Sequence, residues 1–436
     1  MKKFLYLLLA SALWSPSADA TTSSGRLTTA LYSFDRAFQD TATSGSLRAY
    51  QTGRFKFLGL ASRSELSFQA YGRVSDDFQG DVASDPAYRL YHAYLKWHDR
   101  RKRFRIALGR QTVFAGVAVG RIDGLRLRFS PFERLQIDAF GGALISGGGE
   151  GFRHPNAASL IGSHLVFSDL GGVTLGVSFL RRSRRINPYL SSARLDAGLP
   201  SSEIRPGEVE QQMFGVDMSR RFGMANAIIR WDVSTPQSLK TRRFEGVLRF
   251  SQRGWTISGT FLYRTPYIDQ NSLFAVFTQS SNQEVSFRAN QRFSRHLGIF
   301  SEVTRLAYDR DSGYRVNIGF NLLNGYIGYS RRTGFGGSAD GLNGVIRYRF
   351  SRTLMTSFSI GMSTFRTYSG TDVRSLVLAN TIGLVYRPHR KLSLNLQGQR
   401  LKQDLEGTAS GPFTGAGNDL RLFFSVSTWF FHKGKG

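Results

Sequence analysis

Residues 104–140 read FRIALGRQTVFAGVAVGRIDGLRLRFSPFERLQIDAF, and a short run inside them decides the fold. Leu125, Leu127 and Phe129 alternate with Arg126 and Arg128, so an extended chain sets three apolar side chains on one face and two guanidinium groups on the other. The two faces require different solvents. The same alternation returns about every twenty residues to the C-terminus, and no block reads as a separate hydrophobic core. The stretch is one wall segment of a closed transmembrane barrel, with lipid outside and water inside.

The first twenty residues follow another logic. Lys2 and Lys3 precede the apolar run 4–13, and Ala18-Asp19-Ala20 is a small-x-small site, so residues 1–20 are expected to be a Sec-type signal peptide. The apolar run is about ten residues long, against the roughly 20 of a spanning helix, and is no anchor. Residues 21–436 are then a single outer-membrane β-barrel. No later apolar stretch has helix-spanning length, and the mean hydropathy is −0.24, which excludes helical membrane topology. Cysteine is absent, so stability comes from neither disulfides nor a lipid anchor; a closed sheet with every backbone group paired supplies it.

The charge balance is 58 Lys and Arg against 31 Asp and Glu, a formal +27. A nucleic-acid role fails on distribution, because the arginines fall one or two per strand and form no basic helix or tail. Positive charge spread in this way points to a basic lumen and rims. The partners it suits are an anionic solute and the phosphates of lipopolysaccharide, together with outer-membrane lipid.

Alternation and turn signals predict an all-β, antiparallel up-and-down barrel of about 22 strands, within a range of about 18 to 22, and no plug domain. The sheet is expected to open at 25–35, directly after the signal. A strand at 47–57 follows, with Arg48, Arg54 and Lys56 inward, and then one at 63–73. Residues 75–86, with Asp76, Asp77, Asp81 and Asp85, read as an acidic loop, and 147–155 as a Gly-rich one. The segment 181–209 starts RRSRR and contains Pro188, Pro200 and Pro206, which predicts a long outer loop able to fold into the pore. Residues 334–344, GFGGSADGLNG, read as another outer loop; no helix follows to hold a phosphate. Short turns at 220–223, 251–254, 294–296, 324–325, 351–353 and 388–391 alternate with longer connections near 265–283, 332–341, 366–374 and 402–418. Short turns belong to the periplasm, so both termini are expected there, in the outer membrane of a Gram-negative-type bacterium. The segment 420–431, LRLFFSVSTWFF, reads as the aromatic closing strand that the insertion machinery recognises.

Leu108-Gly109-Arg110-Gln111, a Gly-containing loop, and Asp123-Gly124-Leu125-Arg126-Leu127 together resemble a segment of the alginate-export family and related porin-like barrels. There a strand ending in G-R-Q is followed by one carrying D-G/A-x-R-L. The resemblance, which covers about 30 of the 436 residues, implies an outer-membrane conduit with a basic lumen, which in the alginate exporters passes a polyuronate. It also implies that Arg110, Asp123 and Arg126 lie on the pore side or at its constriction. Physically, Gly109 leaves Arg110 space, Asp123-Gly124 permits a sharp bend, and an Arg-to-Asp pair would pin the loop between them. The alternative is an ordinary structural salt bridge at the barrel rim.

The pore-lining set expected from alternation and resemblance is Arg48, Arg54, Lys56, Arg105, Arg110, Asp123, Arg126, Arg128, Arg249, Arg288, Arg292, Arg347 and Arg349. Inward acids are fewer, chiefly Glu65, Asp138, Glu245 and Glu302, and a positive surplus selects anions. The seven histidines stand singly without metal spacing, and neither a lipase-like His and Ser pair nor paired carboxylates with a His assembles. No catalytic residue, metal or cofactor is expected. The function expected is passive diffusion of anionic small solutes or acidic oligosaccharides. The alternatives are a polysaccharide-export barrel working with periplasmic partners, and a non-conducting structural or adhesive surface barrel whose arginines brace the wall.

Overall fold

The computed structural model describes residues 22–38, 41–60, 65–78, 87–145, 158–185, 189–190, 203–204, 209–235, 239–265, 281–308, 311–334, 337–367, 374–406 and 417–433. The expected signal peptide at 1–20, the expected Gly-rich loop at 147–155, Asp81, Asp85, Pro188, Pro200 and Pro206 lie outside these residues.

Period-two alternation runs through the long elements. Leu125, Ile161, Phe214, Val216 and Trp231 leave one face of the sheet and stay at least 40% exposed, which makes that face the lipid-facing one. Their sequence neighbours occupy the opposite, inner face. In chain order the strands are β1 (Thr22–Phe38), β2 (Thr41–Leu58), β3 (Leu66–Asp77), β4 (Tyr88–His98), β5 (Phe104–Ala115), β6 (Ala118–Phe132), β7 (Leu135–Leu144) and β8 (Ala158–Leu170). There follow β9 (Val173–Arg184), β10 (Tyr189–Leu190), β11 (Glu203–Ile204), β12 (Val209–Phe222), β13 (Ala225–Ser234), β14 (Lys240–Gln252), β15 (Trp255–Arg264) and β16 (Asn282–Arg292). The last are β17 (Leu297–Tyr308), β18 (Ser312–Leu322), β19 (Gly325–Gly334), β20 (Gly337–Arg349), β21 (Leu354–Thr367), β22 (Arg374–His389), β23 (Leu392–Glu406) and β24 (Gly417–Lys433).

Twenty-two of these strands form one sheet, and β10 and β11 pair separately. The first strand closes it: β1 pairs antiparallel with β2 and, from Thr22 opposite Lys433 to Phe34 opposite Arg421, with β24. The fold is therefore a closed, antiparallel β-barrel of 22 strands, the number expected from alternation. Closure leaves no edge of unpaired N–H and C=O groups, the condition for standing in lipid. No plug and no helix appears among the described residues. Contacts group the chain into two units, residues 1–91, 249–259 and 285–436, and residues 92–248 and 260–284.

Three expectations need correction. Asp76 and Asp77 belong to β3 and not to an acidic loop; Asp77 pairs with Arg48 at 3.0 Å, directly across the ladder. Arg181, Arg182 and Arg184 are the end of β9 and not the start of a loop, and Arg181 meets Glu210 of β12 at 2.8 Å. The Gly-rich segment 334–344 is mostly strand: β20 starts at Gly337 and pairs with β19 and β21 on its two sides. Glycine lacks the side chain that would reveal a period, but two flanking ladders hold the segment extended.

Candidate functional site

The second unit contains a hairpin that leaves the wall. β5 and β6 pair from Phe104 opposite Phe129 to Ala115 opposite Ala118, and a row of glycines, Gly109, Gly124 and Gly142, crosses β5, β6 and β7 in register. Gly109 has φ +123°, which only glycine adopts without strain, and a Cβ there would stand 2.4 Å from the Ala93 carbonyl oxygen. At Gly124 a Cβ would come within 2.1 Å of the Gly141 carbonyl oxygen. The row lets three backbones crowd, and the hairpin bends there.

Beyond the row, alternation would place Arg110 and Asp123 beside Leu108 and Leu125 on the lipid-facing side. Arg110 is instead fully buried, and its Nε and Nη2 each donate to a different Asp123 oxygen at 2.7 Å. The bidentate pair ties β5 to β6 at the bend. Gln111 Nε2 adds bonds to the carbonyls of Ala107 (3.1 Å) and Gly124 (3.2 Å).

The hairpin's far end lies across the inner face. Val113, Ala115, Val117, Ala118 and Ile122 form a buried cluster with Phe140 and Leu144 of β7, Ala158 and Leu160 of β8, and Leu180 of β9, while Phe114 stays 69% exposed. Val117 N donates to Ser178 Oγ at 3.1 Å, and Ser178 Oγ donates to the Gly215 carbonyl at 3.3 Å. Arg230 of β13 holds the tip by donating from Nη2 to the Gly116 carbonyl at 3.0 Å, while its Nε bonds Asp232. Leu160, Ser178 and Gly215 alternate with Ile161, Val177 and Phe214 of the lipid-facing side, so the hairpin lies on the inner face. Gly215 makes room, since a Cβ there would stand 2.3 Å from Val117 Cγ1.

At the hairpin's base the inner wall is strongly basic. Arg126 donates from Nε (2.8 Å) and Nη2 (2.5 Å) to Asp138, and Arg128 Nη2 reaches the same carboxylate at 2.7 Å. Asp138 is 1% exposed and lies directly opposite Arg128 in the ladder. Arg105 stands opposite Arg128 on the other side, and its guanidinium makes no ion pair or hydrogen bond among the described residues. His92, Tyr94, Lys96, Arg105, Gln111 and Arg128 line a cavity of about 250 Å³ there. Arg105, Arg126 and Arg128 thus stand side by side here, and Asp138 pairs with the last two.

The remaining expected residues lie in the first unit, on β2, β14, β16 and β20, and are not brought into this cavity. Arg48 is paired with Asp77, and Arg288 bonds Glu302 through Nε (2.8 Å) and Nη2. Arg54 and Lys56 line a cavity of about 600 Å³ with Arg26 and Trp429, the Arg26 guanidinium lying 5.0 Å from the indole ring centre. Arg292 borders a cavity of about 880 Å³ with Trp255 and Asn321. Arg249, Arg347 and Arg349 are exposed on β14 and β20. Sequence reasoning missed Arg230, Ser178 and Gly215, which receive the hairpin. A glycine within β12 was the one signal for close backbone approach. No group of three or more His, Asp or Glu that could hold a metal occurs among the described residues.

No protein-family model and no curated protein matches the chain. Among solved structures it is similar to the ferric enterobactin receptor PfeA of Pseudomonas aeruginosa. Against one mutant form the TM-score is 0.60 at 12% identity, over 95% of this chain and 81% of that one. Against a second mutant form it is 0.55 at 13% identity, over 94% and 80%. A third similarity, to an E. coli P pilus tip assembly intermediate of PapC-PapD-PapK-PapG, has a TM-score of 0.50 at 11% identity, over 97% of this chain and 63% of that one. At such identities the likeness is one of fold: the chain has the architecture of Gram-negative outer-membrane β-barrels.

Proposed function

We propose that the chain is a passive outer-membrane channel for anionic solutes, narrowed on its inner side by the β5–β6 hairpin. The observation that carries this reading is the charge imbalance at the hairpin's base, where Arg105 faces Arg128 across the ladder and Asp138 is already shared by Arg126 and Arg128. Like charges opposed in a sheet repel unless an anion lies between them, so a passing carboxylate or phosphate is stabilised there and a cation is not. The buried Arg110–Asp123 pair holds the hairpin and touches no solute. The resemblance of residues 108–127 to the alginate-export family supports an acidic sugar as one such solute. Both termini are assigned to the periplasm, because Thr22 and Lys433 lie opposite each other at the edge that carries the short turns.

Single-channel recording in planar bilayers tests the reading. A salt gradient should give a reversal potential of anion-selective sign, and Arg105→Glu should move it toward cations. No conductance at any voltage would remove the channel; an unmoved reversal potential would move the selective site elsewhere.

A further inference from the structure

The first unit has a second concentration of positive charge, and it differs from the one at the hairpin. Five of its short turns read QRGW at 252–255, RFSRHL at 292–297, LLNG at 322–325, RFSRTL at 349–354 and YRPHRK at 386–391, and β24 ends FFHK at 430–433, on the edge where the β2–β3 connection carries Glu65. These segments hold nine Lys and Arg and no Asp or Glu. None of the nine makes an ion pair or side-chain hydrogen bond among the described residues. Backbone bonds stitch successive turns into one edge: Arg292 N to the Gly254 carbonyl (2.8 Å), Arg347 N to Asn324 (2.6 Å), Arg387 N to Thr353 (2.7 Å) and Trp429 N to Lys391 (2.9 Å).

Each of these segments also carries an exposed large apolar side chain. Trp255 is 45% exposed, Phe293 58%, Leu323 59%, Phe350 62% and Phe431 62%. This apolar row continues the lipid-facing band, whose members Ile318, Phe320, Ile346 and Phe358 lie further along the same strands. An aromatic girdle followed within one or two residues by unneutralised cations has a polarity that matches the acyl chains and phosphates of a leaflet in turn. A soluble acidic protein would need the cations but not the girdle in register with them.

We infer that this edge is a docking surface for anionic phospholipid headgroups, which supply the counter-charge that the chain omits. The inference rests on placement of the barrel in a membrane and is independent of conduction. The occupant is a phosphodiester with net negative charge and its own acyl chains, such as phosphatidylglycerol. Its phosphate sits between neighbouring turns, for example between Arg352 and Arg387, while Phe350 lies among the acyl chains.

The test reconstitutes the full-length barrel in vesicles of phosphatidylcholine containing a minor fraction of spin-labelled phosphatidylglycerol or phosphatidylcholine, and measures the motionally restricted fraction of each label. Wild type should prefer the anionic label by about fivefold, the preference expected of about one extra basic contact per lipid. In about 1 M salt, where the Debye length is about 3 Å, the preference should approach unity. The variant Arg253→Gln, Arg352→Gln, Arg387→Gln, Arg390→Gln, Lys391→Gln should lose it at low salt. Equal restriction of the two labels by wild type, or a preference that survives high salt, overturns the inference and needs no variant to fold. A folded variant that keeps the full preference overturns it as well. None of these outcomes bears on whether the barrel conducts anions.

Discussion

The hairpin of the second unit and the short-turn edge of the first are both rich in arginine and treat it in opposite ways. At the hairpin, cations taken out of water are matched: Arg110 by Asp123, Arg126 and Arg128 by Asp138, Arg230 by Asp232. A buried guanidinium without a carboxylate would lose several kcal/mol of hydration, so burial and pairing arrive together. At the short turns the nine cations make no ion pair among the described residues, and water makes that tolerable. One residue type therefore serves as an internal fastener in one place and as a free charge in the other. Accessibility divides the roles, and Arg105, half-buried beside Arg128 and without an ion pair among the described residues, stands between them.

Breaking the fastener should have the largest effect. Asp123→Ala leaves Arg110 buried without its counter-ion and is expected to cost about 3–5 kcal/mol in equilibrium unfolding. Replacing both partners, as Arg110→Met with Asp123→Leu, should recover much of that loss. A single variant as stable as wild type would mean that the pair does not hold the bend.

A smaller effect is expected where the hairpin lies on the wall. Gly215→Val drives a side chain into Val117, at an overpacking cost of about 1–3 kcal/mol, and should lift the tip from Ser178 and raise single-channel conductance. Unchanged conductance in a stable variant would show that the hairpin does not narrow the path.

The smallest effect belongs to the other region. Arg352→Gln with Arg387→Gln removes charges that hold nothing in the chain, so stability in a zwitterionic detergent should stay within about 0.5 kcal/mol of wild type. A larger loss would mean that these turns, like the hairpin, are fastened by their arginine side chains.

Much of the wall was legible from residues alone. Leu125, Leu127 and Phe129 against Arg126 and Arg128 state a two-solvent strand, and the recurrence of that pattern gives the strand number. The Gly-rich segment 334–344 was illegible, because glycine carries no period and its extended form comes from ladders on both sides. Arg110 and Asp123 were recognisable as a pair, and Gly109 and Asp123-Gly124 as a place to bend. The direction of the bend was not, since the hairpin's anchors lie 61 residues away at Ser178 and 114 residues away at Arg230.

The sequence by itself determined the class of the molecule. Alternation with period two, a polar side that is basic and turns of unequal length leave a lipid-spanning antiparallel barrel as the arrangement that satisfies both faces and the backbone. The tertiary structure decided which positive charges remain available. A guanidinium's role depends on whether a carboxylate stands across the ladder and whether water reaches it, and register and burial set both. These are properties of neighbours distant in the chain, so Arg110, Arg105 and Arg352 look alike in sequence and part company only when the sheet closes.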